Sequence, residues 1–214
     1  MKLLQKIKKI LIIKIILSKD GYKLKNYQEL QNDKEAVMVA VKNCPWALQF
    51  ASEELRANKE VVIEAVKRHG LALRYASEEL QNNKEFVVVA EKRSGWVLDC
   101  ASEELRGDKE VVLLAVKQDG IALRYASDEL KKNKEVVMEA VKEDGDALYY
   151  ASKELKGDKE FMIEAVKQRG SSLRYANKQF VLEVAKESDY ALMFASDELK
   201  NDKEFIIEIS KLNQ

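Results

Sequence analysis

Apolar and polar positions fall along this chain in one phrase that keeps returning. In a clear copy, residues 59–70 read Lys-Glu-Val-Val-Ile-Glu-Ala-Val-Lys-Arg-His-Gly. On a helix, Val61, Val62, Ala65 and Val66, with Ile63 alongside, span more than half of the circumference, and Glu60, Glu64 and Lys67 form the polar stripe that remains. A face that wide must touch neighbours on two sides, so the helix is a middle layer in a stack. The next segment, Leu71 to about Ala76, predicts a shorter first helix that buries Ala72, Leu73, Tyr75 and Ala76 and turns positions 71 and 74 the other way. Ser77-Glu78-Glu79-Leu80 then carries a capping signature of its own.

The phrase has a fixed period. Ala51, Ala76, Ala101, Ala126, Ala151 and Ala176 are 25 residues apart, and Ala195 follows after 19. That period is shorter than in tetratricopeptide or ankyrin repeats and leaves room for two short helices and their turns. The pattern predicts an all-α fold, an α-solenoid of about seven two-helix repeats with a degenerate N-terminal cap helix. Residues 1–25 form the cap and its turn, and 26–214 a single elongated array. In the shortened copy, Tyr175-Ala176-Asn177-Lys178-Gln179-Phe180, a hexapeptide is missing while both flanking helices persist, so it should be a separate, removable helical turn.

The long helix has legible ends. Asp or Asn stands at 33, 58, 83, 108, 133, 158 and 202 directly before Lys-Glu, putting a capping side chain and a first-turn carboxylate where the helix dipole favours them. Lysines at 42, 67, 92, 117, 142 and 167 complement the other end, and glycines at 70, 95, 120, 145 and 170 are expected to supply a left-handed stop.

Residues 1–17, MKLLQKIKKILIIKIIL, differ from the rest. Lys14 interrupts the apolar run, which is too short for a membrane span, and Ser18-Lys19-Asp20-Gly21 is no small-residue cleavage site. With Gly21 aligned to Gly70, Ile12, Ile13, Ile16 and Leu17 match Val61, Val62, Ala65 and Val66, which reads as a cap helix. An amphipathic helix on a membrane surface is the alternative reading, and attachment through these residues the alternative function.

Lys plus Arg equals Asp plus Glu at 37 each, which leaves no basic footprint for nucleic acid. Cys44 and Cys100 occupy non-equivalent places in their repeats, unlike a disulfide framework or a metal spacing, and the chain is expected in a reducing compartment. With one histidine, no nucleophile–base pattern and no glycine-rich phosphate loop, neither catalysis, metal nor cofactor is predicted.

The phrase ALRYASEEL-x-x-(D/N)KEVV-x-x-AVK-x-x-G, with Tyr-Ala-Ser, Glu-Leu, Lys-Glu-Val-Val and Ala-Val-Lys in fixed order, resembles the family described as domain of unknown function 4116 over residues 26–214. The resemblance implies an all-helical repeat module without assigned activity. It also implies a host-interaction setting, because such proteins include secreted effectors of intracellular bacteria.

Positions where the repeats disagree are free of the stack and carry the candidate site. One column runs Trp46, Leu71, Trp96, Ile121, Asp146, Ser171 and Tyr190; a second, three residues on, runs Gln49, Arg74, Asp99, Arg124, Tyr149, Arg174 and Met193. Arginine with tryptophan is the composition of binding hot spots, so the two columns predict a strip that binds a protein partner. The competing reading pairs the arginines with Glu53-type residues of adjacent repeats and sets the tryptophans in junctions between first helices. A local site is conceivable around Val89, Glu91, Cys100 and Leu114: Glu91 stands where other repeats have valine, Cys100 where they have an aromatic, and Val89 and Leu114 replace glutamate. The same pattern puts Glu91 at the edge of the apolar arc with its carboxylate in water, and makes His69 an exposed helix-end residue.

Overall fold

The computed structural model describes residues 2–92, 94–186 and 191–212. It is an all-α repeat solenoid with no strand among the described residues, and its contacts divide it into two compact units, Met1–Leu105 and Arg106–Gln214.

In the first unit, the repeat after Ala65 shows the construction. A six-residue 3-10 helix, Gly70–Tyr75, is followed by one α-helical turn, Glu78–Gln81, and the long helix Lys84–Glu91. Three residues per turn explain which side chains of the first helix are buried. Gly70, Leu73 and Ala76 line up along one buried edge, Ala72 and half-buried Tyr75 along a second, and half-buried Leu71 with exposed Arg74 along the third. The hexapeptide is the separate turn the shortened copy foretold. In the second unit, Gly170–Tyr175 runs straight into Lys178–Ala185 with no turn between them, and Asn177 caps that helix by accepting from the Phe180 N–H at 2.9 Å.

The capping prediction holds at all seven positions, where Asp33, Asn58, Asn83, Asp108, Asn133, Asp158 and Asp202 each accept from the backbone N–H three residues on. The apolar prediction holds too. Val61, Val62, Ala65 and Val66 are buried, as are their equivalents Val136, Val137, Ala140 and Val141. With Leu73 and Leu80, each repeat buries about five large apolar side chains, stabilising by roughly 1.5–3 kcal/mol each against the cost of ordering short helices.

Adjacent repeats are also joined by polar bonds. The Ser52 and Ser77 N–H groups donate to the Gln31 and Arg56 carbonyls at 2.8 and 2.9 Å in the first unit. Those of Ser127 and Ser152 donate to the Arg106 and Lys131 carbonyls at 2.9 and 3.0 Å in the second. The Lys of Lys-Glu reaches an acid of the following repeat, as Lys34 does to Glu60 and Lys109 to Glu135 at 2.6 Å.

The glycines act differently from expectation. None has a positive φ among the described residues. The long helix ends instead on an extended residue, such as His69 or Asp119, whose N–H still donates to the alanine four residues back. Glycine then opens the next 3-10 helix, and at Gly70 and Gly120 its missing Cβ lets two backbones meet. A Cβ on Gly70 would lie 2.3 Å from the Ala90 carbonyl oxygen, and one on Gly120 would lie 2.4 Å from that of Ala140. Pro45 holds the equivalent place in the preceding repeat, where a first helical residue tolerates proline.

At the start of the chain, the α-helix Lys2–Leu11 passes into a π-helical stretch, Ile12–Leu17. Ile12, Ile13 and Leu17 are buried and Ile16 is half-buried, the face expected from the Gly21 alignment. The Asn43 side chain fixes the turn that follows, donating to the Ser18 carbonyl and accepting from the Gly21 N–H, each at 2.9 Å.

Candidate functional site

Every described residue of the predicted strip except Met193, which is on the short α-helix Ala191–Phe194, lies on a 3-10 helix, whose three-residue period stacks the two columns along one edge. In the first unit these helices are Pro45–Phe50, Gly70–Tyr75 and Gly95–Cys100. Trp46 is half-buried, its ring 4.5 Å from that of His69 and 6.2 Å, edge-on, from that of Tyr75. Trp46 therefore fills a junction, as the competing reading held. His69 ends its helix as expected but is half-buried beneath this indole rather than exposed, and its Nδ1 is buried without a hydrogen-bond partner. Arg74 pairs at 3.2 Å with Asp99, a member of the strip itself, and not with a Glu53-type residue. Gln49 donates to the Trp46 carbonyl at 2.9 Å, Leu71 is half-buried, and Trp96 is exposed.

In the second unit the 3-10 helices are Gly120–Tyr125, Gly145–Tyr150 and Gly170–Tyr175. Ile121 is half-buried, and the Arg124 guanidinium lies over the Tyr125 ring at 4.8 Å. Tyr149 is 64 % exposed. Its ring stands edge-on to Tyr150 at 5.1 Å and lies 6.0 Å from Tyr175. Beside it, Arg174 pairs with Asp146 at 3.3 Å. Tyr190 lies outside the described residues. In the helices that open at Gly70, Gly120, Gly145 and Gly170 the second-column residue is exposed and the first-column one half-buried, because the first tucks toward the stack while the one three positions on clears it; Trp46 and Gln49 are both half-buried, and Trp96 and Asp99 both exposed.

Sequence reasoning missed a third contributor. Lys156 donates to the Tyr149 carbonyl at 3.1 Å and its ammonium lies 6.0 Å from the Tyr149 ring centre. At the same place in another repeat, Gln81 donates to the Arg74 and Ala76 carbonyls at 3.0 and 2.9 Å. The signal was present as a long polar residue at the end of every hexapeptide turn, Arg56, Gln81, Arg106, Lys131 and Lys156.

The deviant third repeat overturns one expectation. Glu91 is fully buried, not solvated, and neither carboxylate oxygen has a hydrogen-bond partner of good geometry. It ends its helix on the line of Val41 and Val66, both fully buried, so the arc is wider than a count of apolar residues suggests. Burial pushes its carboxyl up to about 8, with the Leu98 backbone N–H opposing. The Cys100 Sγ donates to the Val97 carbonyl at 3.1 Å, and burial pushes this thiol up to about 11, away from thiolate chemistry. Val89 is half-buried on the helix of Glu91, and Leu114 is half-buried on Lys109–Gln118 in the second unit. Among the described residues no group of His, Cys, Asp and Glu is disposed to hold a metal ion.

No curated protein and no solved structure matches the chain. A family model does, six times in overlapping stretches, at residues 10–56, 58–106, 92–131, 108–156, 133–180 and 177–213. The first match takes in the helical stretch Ile12–Leu17, which the phrase alone left outside the resemblance. With matches spread over nearly its whole length, the chain belongs to the family described as Domain of unknown function (DUF4116).

Proposed function

We propose that this chain is a non-enzymatic helical-repeat scaffold that binds a protein partner through the exposed edge of its 3-10 helices. The observation that carries this reading is Tyr149, a largely exposed tyrosine held rigid by Tyr150, Tyr175 and Lys156 and flanked by the Arg174–Asp146 pair. Tyrosine and arginine on a preorganised support are the composition of interface hot spots, and fixing the ring beforehand lowers the entropy lost on binding. Cys100 and Glu91 argue in the same direction, since one is shifted away from nucleophilic reactivity and the other is shut away from solvent.

The test is capture by the full immobilised chain compared with a Tyr149→Ala, Arg174→Ala variant. The ion pair is exposed and worth about 0–1 kcal/mol and the ring contacts of the largely exposed Tyr149 about 1 kcal/mol more, so the variant should stay folded and melt within about 8 °C of the wild type while its specifically captured proteins fall by at least roughly tenfold. An unchanged captured set would refute the strip.

A further inference from the structure

The helix Lys2–Leu11 has one face that the other described residues leave uncovered, and the charge around that face says what would cover it. Its inward side is occupied: Lys9 pairs with Asp33, Gln5 and Lys8 line a small cavity against Glu29 and Leu30, and Ile12 and Ile13 are buried just beyond. On the other side, Leu4 is 76 %, Ile7 49 % and Leu11 50 % exposed, with Ile15 following at 51 %. Intervals of three and four residues place Leu4, Ile7 and Leu11 on one stripe of the helix. A continuous apolar stripe of this kind marks an interaction surface rather than scattered surface residues.

The first nineteen residues carry lysines at 2, 6, 8, 9, 14 and 19 and no acid, in a chain whose total charge is zero. A second copy of the stripe would bring like charges together, whereas an anionic bilayer offers acyl depth to the leucines and isoleucines and phosphate or carboxylate to the lysines. No described helix is long and apolar enough to cross a membrane, which leaves the interface. We propose that residues 4–15 lie in the surface of a membrane rich in anionic lipid, with the buried face of the same segment still packed on the repeats. This inference is independent of the strip on the 3-10 helices.

Co-sedimentation of the full chain with phosphatidylcholine–phosphatidylserine vesicles and with pure phosphatidylcholine vesicles tests it. Binding to the mixed vesicles should be at least roughly tenfold stronger than to the pure ones and should fall steeply as salt shortens the screening length. Ile7→Glu with Leu11→Glu should abolish it at an unchanged melt, because both side chains are exposed. Lys6→Gln should weaken it by roughly fivefold, the worth of one lysine near the surface. Failure to bind the mixed vesicles, or wild-type binding by the Ile7→Glu, Leu11→Glu variant, would overturn the proposal. So would a stripe that the same variant shows, by sedimentation velocity, to join two copies of the chain.

Discussion

Glu91→Val should raise the stability of this protein by about 3–5 kcal/mol at pH 8 to 9 and flatten its dependence on pH. The carboxyl is fully buried with its folded-state value pushed up to about 8 from an ordinary 4.5. Below about pH 4.5 it is protonated in both states and pH has no leverage through it. Between 4.5 and 8 the unfolded chain has released the proton that the folded chain keeps, so stability falls by about 1.4 kcal/mol per pH unit as pH rises, and it levels off above 8. Valine occupies the equivalent position at 41, 66, 116 and 141, always fully buried, and it has nearly the volume of glutamate, so the pocket accepts it without overpacking. Removing a buried carboxyl with no good hydrogen bond adds a further gain at every pH. Urea melts of both proteins at pH 5.5, 7 and 8.5 check this. Parallel profiles for the two would mean that Glu91 meets water in solution.

The second large effect separates two glycines, Gly70 after a long helix and Gly157 before one. Gly70→Ala should destabilise by at least about 2 kcal/mol, because the added Cβ would lie 2.3 Å from the Ala90 carbonyl oxygen and 3.1 Å from Val97 Cγ2, and a backbone cannot swing aside as a side chain can. Gly157→Ala should be neutral or stabilising by up to about 1 kcal/mol, since nothing lies within 4 Å of its Cβ position and it sits at the end of a helical turn, Lys153–Gly157. Thermal melts of the two single variants decide the matter. A Gly70→Ala protein as stable as Gly157→Ala would show that the first helices do not rest on the long helices as described.

These cases mark where sequence reasoning stopped. Capping side chains, first-turn acids and the Val-Val-x-x-Ala-Val face follow from local rules that need only the helix itself, and they stand as read. The role of glycine was misread because a left-handed stop and a close backbone approach leave the same letter in a sequence. Glu91 was misplaced because a wide apolar arc has an edge in projection but none once neighbouring helices cover it. His69 was misplaced because Trp46, which covers it, lies a repeat away.

The strip shows the same division. The columns at 46 and 49 or 71 and 74 were visible as disagreement among repeats, and they do share an edge. Their unequal exposure, the Arg74–Asp99 and Arg174–Asp146 pairs, and the support of Tyr149 by Lys156 were not visible, since each depends on the spacing between repeats rather than within one.

By itself the sequence determined the period, the helical class, the caps and the buried stripe, because each repeat states them in residues whose preferences act over a single turn. Only the tertiary structure decided that the first helices from Pro45 to Tyr175 are 3-10, that Gly70 and Gly120 mark contacts between backbones, that a carboxylate is enclosed at 91 and that Tyr149 stands out at the surface. Those are properties of neighbouring repeats pressed together, and a neighbour's position is set by packing, which no single phrase contains.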